Sequence, residues 1–78
     1  MNTTARILLA IGSTDRVYAD QFMHNLGDRP PDLFVLIGTL EEQRLLTTVR
    51  TGHGGIVSLN LTELGAERAR EAQQEANR

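Results

Sequence analysis

The apolar residues of this chain change their spacing twice, and those two changes limit what 78 residues can fold into. As far as Leu40 they recur at the roughly 3.6-residue period of an amphipathic helix. Between Leu45 and Leu61 the period moves toward the value of about 2 that marks a strand, and from Leu64 the helical spacing returns. The length allows one domain, spanning residues 1–78, because even a ~60-residue domain buries only about 60% of the surface its unfolded chain exposes. With no Cys in the chain, disulfide frameworks, thiol catalysis and Cys-based zinc sites are excluded, and the core must hold unaided.

Each segment carries its own start and stop signals. Thr3 to Ile11 places Ile7, Leu8 and Ile11 on one helical face, with Gly12-Ser13 ending it. Ser13, Thr14 and Asp15 are all good N-cap types for a second helix, whose stripe of Val17, Ala19, Phe22, Met23 and Leu26 stops at Gly27. The pair Pro30-Pro31 suits a first turn, and Leu33, Leu36, Ile37 and Leu40 predict a third helix from about Pro31 to Gln43. Leu45 to Thr51 and Ile56 to Leu61 read as the strands of a hairpin turning through Gly52-His53-Gly54-Gly55. Thr62 then caps a last helix with Ala66, Ala69 and Ala72 interleaved among charges, and residues 75–78 are expected to fray. The predicted architecture is α+β: three helices, a two-stranded hairpin and a C-terminal helix.

Three stretches in that order resemble a known family: Leu26-Gly27, then Leu40-Glu41-Glu42-Gln43-Arg44-Leu45-Leu46, then Leu61-Thr62-Glu63-Leu64-Gly65. They are similar to the motifs of winged helix-turn-helix domains of the broad MarR/PadR-like kind. There a helix ends in Leu-Gly, the recognition helix runs into Leu-Glu-Glu-x-Gly-Leu-Leu, and the second wing strand leads into Leu-Thr-x-x-Gly. The resemblance spans about Thr3 to Ala69 and implies a transcriptional regulator that binds double-stranded DNA, works as a homodimer and is not an enzyme. Arg44 departs from the pattern, standing where the family has glycine. If the junction needs a positive φ there, the arginine costs on the order of 1 kcal/mol.

Charge and side-chain type pull against that implication. Ten acidic residues face eight basic ones for a net charge of −2, and every basic residue is Arg, a bias best explained by GC-rich coding. A DNA-binding surface usually shows a basic footprint. The third helix is expected to turn Leu33, Leu36, Ile37 and Leu40 inward, leaving Asp32, Phe34, Val35, Gly38 and Thr39 outward or at the edge. None of these five makes a bidentate contact to a purine. The DNA-contacting candidates are therefore Arg16, Arg29, Thr39, Arg44, Arg50 and His53, with Arg50 and His53 on the wing reaching backbone or minor groove. Phe34 and Val35 have three readings: a protein interface, contact with thymine methyls, or core residues misplaced by one step of helix rotation. A protein-interaction module on the same scaffold is thus the alternative function. Ala66, Ala69 and Ala76 suggest a homodimer through the C-terminal helix.

Other chemistry finds little footing. His24 and His53 lie on different elements, so neither a metal site nor a catalytic constellation is expected, and no cofactor is implied. Adjacent Glu41 and Glu42 diverge by about 100° on a helix and read as a solvated helix end. The glycine-rich turn joins two strands and opens no helix, so it does not make a phosphate-binding loop. No apolar run approaches the ~18 residues of a membrane span, and the opening MNTTARILLAIGST has too short an apolar core for a signal peptide, giving an expected cytoplasmic location without membrane association.

Overall fold

The computed structural model describes residues 2–78. Its elements run α1 (Thr3–Ile11), β1 (Val17–Tyr18), α2 (Ala19–Leu26), α3 (Leu33–Glu42), β2 (Leu46–Arg50), β3 (Ile56–Leu61) and α4 (Glu63–Ala76). The hairpin β2–β3 forms as the period change predicts, but the sheet has three strands in the order β1-β3-β2, where two were expected. Val17 pairs with Leu59 and Tyr18 with Ser58, both antiparallel. Helix α2 consequently begins at Ala19, not near Ser13. Ser13 instead accepts from the Asp15 N–H in a local turn, and its carbonyl takes the Leu61 N–H. A two-residue strand has too short a period to register in the sequence, and what makes it is the otherwise unpaired edge of β3.

Helix α3 is also shorter than expected. Asp32 sits in the left-handed region (φ 57°, ψ 33°), so the helix starts at Leu33, and it ends at Glu42. Pro30 is buried before it. Leu33, Ile37 and Leu40 are buried as predicted, while Leu36 is only half-buried. They meet Ile7, Leu8 and Ile11 of α1, Phe22 and Leu26 of α2, and Leu46, Leu59 and Leu61 of the sheet in one core. Helix α4 packs on α1, with Ala69 buried and Ala66 half-buried against that core. It remains helical to Ala76, beyond the start of the stretch expected to fray.

Polar side chains lock the elements at their ends, where helices leave carbonyls unpaired. On α1, Arg6 Nη2 donates to the carbonyls of Leu26 at 3.3 Å and Asp28 at 2.5 Å, holding the end of α2. Asn25 of α2 returns the favour by donating to the Ala10 carbonyl at 3.0 Å. These side chains bridge α1 and the end of α2 beside the core that the two helices share.

The two longest motifs of the sequence meet each other in space. Thr62 Oγ1 accepts from the Gly65 N–H as the N-cap of α4 and donates to the Arg44 carbonyl at 2.6 Å, while the Thr62 N–H donates to the Leu45 carbonyl. Gly65 lies so close to this junction that a Cβ there would sit 1.7 Å from the Leu45 oxygen. The Leu-Thr-x-x-Gly signature is thus the surface on which the end of α3 turns into β2. Arg44, at the turn itself, has φ 63°, so the positive φ that would make an arginine costly at this junction is present.

Candidate nucleic-acid interface

Helices α2 and α3 with the intervening turn form the helix-turn-helix, and the outward side of α3 carries the exposed Phe34 and Val35. Phe34 is 53% exposed and Val35 67% exposed, so neither belongs to the core, which removes the reading in which the helix rotation was misjudged. Phe34 nevertheless lines, with Met23, Ile37 and Ile56, an apolar hollow of about 110 Å³. The Arg29 guanidinium stands 5.0 Å from the centre of the Phe34 ring, a cation–π contact that ties the turn to the first turn of α3. Gly38 lies on the same outward side with no atom near the place its Cβ would take. The Thr39 hydroxyl donates to the Val35 carbonyl at 3.1 Å, so its proton is used within the helix and its oxygen is left as an acceptor. The outward side of α3 therefore offers aromatic and aliphatic surface and almost no donors.

The wing tip is built around Thr51. Its Oγ1 accepts the N–H groups of His53 and Gly55, at 3.3 and 3.0 Å, and its backbone pairs with Gly54 and Gly55. Gly54 alone of the tip residues takes a positive φ, 85°. His53 is thereby exposed at the far end of the hairpin.

The candidate cations do not gather into one patch. Arg16 precedes β1 at one edge of the sheet, Arg50 ends β2 at the other, and β3 runs between them. Arg29 leans on Phe34, and Arg44 is exposed at the α3–β2 turn. Arg50 is not free: its Nη2 meets Glu41 Oε1 at 2.5 Å, and the other carboxylate oxygen accepts from the Thr48 hydroxyl at 3.0 Å. Glu41 is thus no solvated helix end, as its place in the sequence suggested. It fastens the last turn of α3 to β2. The only sequence signal for this latch is its place in the junction motif, because the partners lie across a turn whose geometry spacing does not reveal.

Across the outer face of the sheet, Tyr18, Ser58 and Val49 lie in register. The exposed tyrosine and valine flank a serine that is itself buried. Among the described residues no group of three or more His, Asp or Glu is placed to hold a metal ion, and no helix is long and apolar enough to cross a membrane.

Three helices, a crossing α3 with one bare side and a hairpin beside it make this chain a winged helix-turn-helix domain. Solved structures share that fold. The adhesin competence repressor (AdcR) of Streptococcus pyogenes matches 99% of this chain and 58% of its own with a TM-score of 0.66 and 19% identity. A double mutant of ZitR from Lactococcus lactis matches 99% of this chain and 53% of its own, with a TM-score of 0.64 and 19% identity. The chain thus spans little more than half the length of either. No family model and no curated protein matches the sequence.

Proposed function

We propose that this chain is a DNA-binding transcriptional regulator of winged-helix type, of the MarR/PadR-like kind, acting in the cytoplasm on double-stranded DNA and not as an enzyme. The observation that carries the reading is the bare outward side of α3 beside a projecting wing, the pairing with which such domains enter a major groove and touch its flanking backbone. The shared fold with a protein named as a repressor supports it. Exposed Arg16, Arg44 and His53, with Arg29 and Arg50 in their contacts, supply phosphate partners at scattered points, and Thr39 offers an acceptor. With five acidic residues (Asp20, Asp28, Asp32, Glu41, Glu42) among four arginines between Arg16 and Thr62, affinity per copy is weak and salt-sensitive. Titration of a random-sequence duplex at two salt concentrations tests this. Binding that weakens as salt rises supports it, and absence of binding at low salt refutes it.

A single copy covers about one half-site, so two copies are part of the proposal. Of the alanine stripe, Ala69 is buried and Ala66 half-buried against this chain's own core, so we place the approach of a second copy nearer the end of α4. Ala5, Ala72 and Ala76, which line a groove between the start of α1 and the end of α4, remain available for close approach. A second reading, a protein-interaction module, is favoured by one observation, the exposed Phe34 and Val35 on a helix side that lacks donors. Sedimentation distinguishes monomer from dimer, and the Phe34 variant below separates the two functions.

A further inference from the structure

Resting on the DNA reading, we propose that Glu41 is a positioning residue that withholds the Arg50 guanidinium from phosphate and thereby sets the affinity of the domain for nucleic acid. Both carboxylate oxygens are engaged with β2, one by Arg50 and one by Thr48. The ladder between β2 and β3 is irregular between Val49 and Arg50, where a strand bends, and the Arg50 side chain folds back onto the last turn of α3. The two side chains keep 37% and 30% of their surface in solvent, an exposure at which an ion pair is held only weakly. The guanidinium fork fits a phosphate as well as a carboxylate, so a DNA backbone against the wing competes with Glu41 for the same donors. In a chain of net charge −2 whose other candidate cations are dispersed, this exchange decides a large share of the phosphate-facing charge.

The test is a double-mutant cycle with Glu41→Gln, Arg50→Ala and both together, read by fluorescence anisotropy on a random-sequence duplex at two salt concentrations, with a melt of each variant. Glu41→Gln is expected to tighten binding by about fivefold near ~0.1 M salt and to steepen the salt dependence by roughly one phosphate contact. In the Arg50→Ala background the same change gains at least about threefold less, because no guanidinium is there to be released. An equal gain in both backgrounds reduces the effect to net charge and overturns the proposal. So does unchanged or weaker binding by Glu41→Gln beside a wild type that binds, an outcome that leaves the DNA reading standing. No binding by any variant at low salt removes the reading and the proposal together. Should Glu41→Gln lower the melting temperature, the wild-type Arg50 Nε–H resonance followed through a DNA titration serves instead: a shift supports release from Glu41, and a fixed signal while α3 amides move overturns it.

Discussion

Two glycine-to-alanine changes in this domain have opposite expected signs, and the difference comes entirely from what each new methyl meets. At Gly65 the Cβ lies 1.7 Å from the Leu45 oxygen, 2.8 Å from its carbonyl carbon and 3.3 Å from its Cα. Carbon atoms rest at ~3.5 Å or more, so α4 and the α3–β2 junction must part by on the order of 1.5 Å. The obstacle is backbone and has no rotamer to change. Overpacking of this kind costs about 1–3 kcal/mol. The separation also breaks the Thr62 hydroxyl bond to Arg44 and the Thr62 N–H bond to Leu45, at about 1 kcal/mol each. Alanine returns at most ~1 kcal/mol of helix propensity. Gly65→Ala is therefore expected to lose about 2–4 kcal/mol, from a total that for a domain of this length is ~4–12 kcal/mol. Gly38 is helical, has nothing beyond its own turn of helix within 4 Å of where a methyl would go, and should gain about 0.5–1 kcal/mol as alanine. Thermal melts followed by circular dichroism read both, at roughly 4–8 °C per kcal/mol. A Gly65→Ala variant melting within about 3 °C of wild type, or shifts of the same sign for the two variants, would refute the argument from close approach.

Three other outcomes are expected. Phe34→Ala should cost less than about 1.5 kcal/mol of stability, since the half-exposed ring loses its Arg29 contact and only its edge on the apolar cavity; if the side chain touches thymine its DNA affinity falls by at most ~1 kcal/mol, whereas a protein partner would lose ~2 kcal/mol or more, as titration of each would tell. Arg6→Ala should lose about 1–2 kcal/mol in urea unfolding through the unpaired carbonyls of Leu26 and Asp28, and a loss below ~0.3 kcal/mol would deny Arg6 its role at the end of α2. Arg44→Gly should stabilise by about 0.5–1 kcal/mol, because φ 63° is strained for arginine and open to glycine; a destabilised variant would mean that the side chain contributes more than the backbone costs.

The helices, the hairpin and the inward stripe of α3 were legible in the sequence because each depends on residues close together in the chain. Apolar spacing places Leu33, Ile37 and Leu40 on one side, and Gly52 to Gly55 mark the turn whatever surrounds it. The candidate site was legible only in part. Its residues could be named, but their partners could not, since Arg29 meets Phe34, Arg50 meets Glu41, and the Thr39 proton goes to Val35. An arginine counted as free charge from composition is a different object once a carboxylate from the end of another element lies 2.5 Å away.

What the sequence determined by itself was the four helices and the hairpin in their order, and Arg44 as the residue on which a positive φ at the α3–β2 turn would fall. Tertiary structure alone decided that Val17 and Tyr18 are a strand, since a two-residue strand is made by the hydrogen-bonding edge it joins and not by its own period. It also decided that Ala69 is buried in this chain's own core with Ala66 half-buried against it, and that Glu41 meets Arg50 and Thr48 of β2. Local patterns report which face a residue occupies. Which neighbour fills that face depends on chain crossings that bring distant residues together, and only the folded backbone contains them.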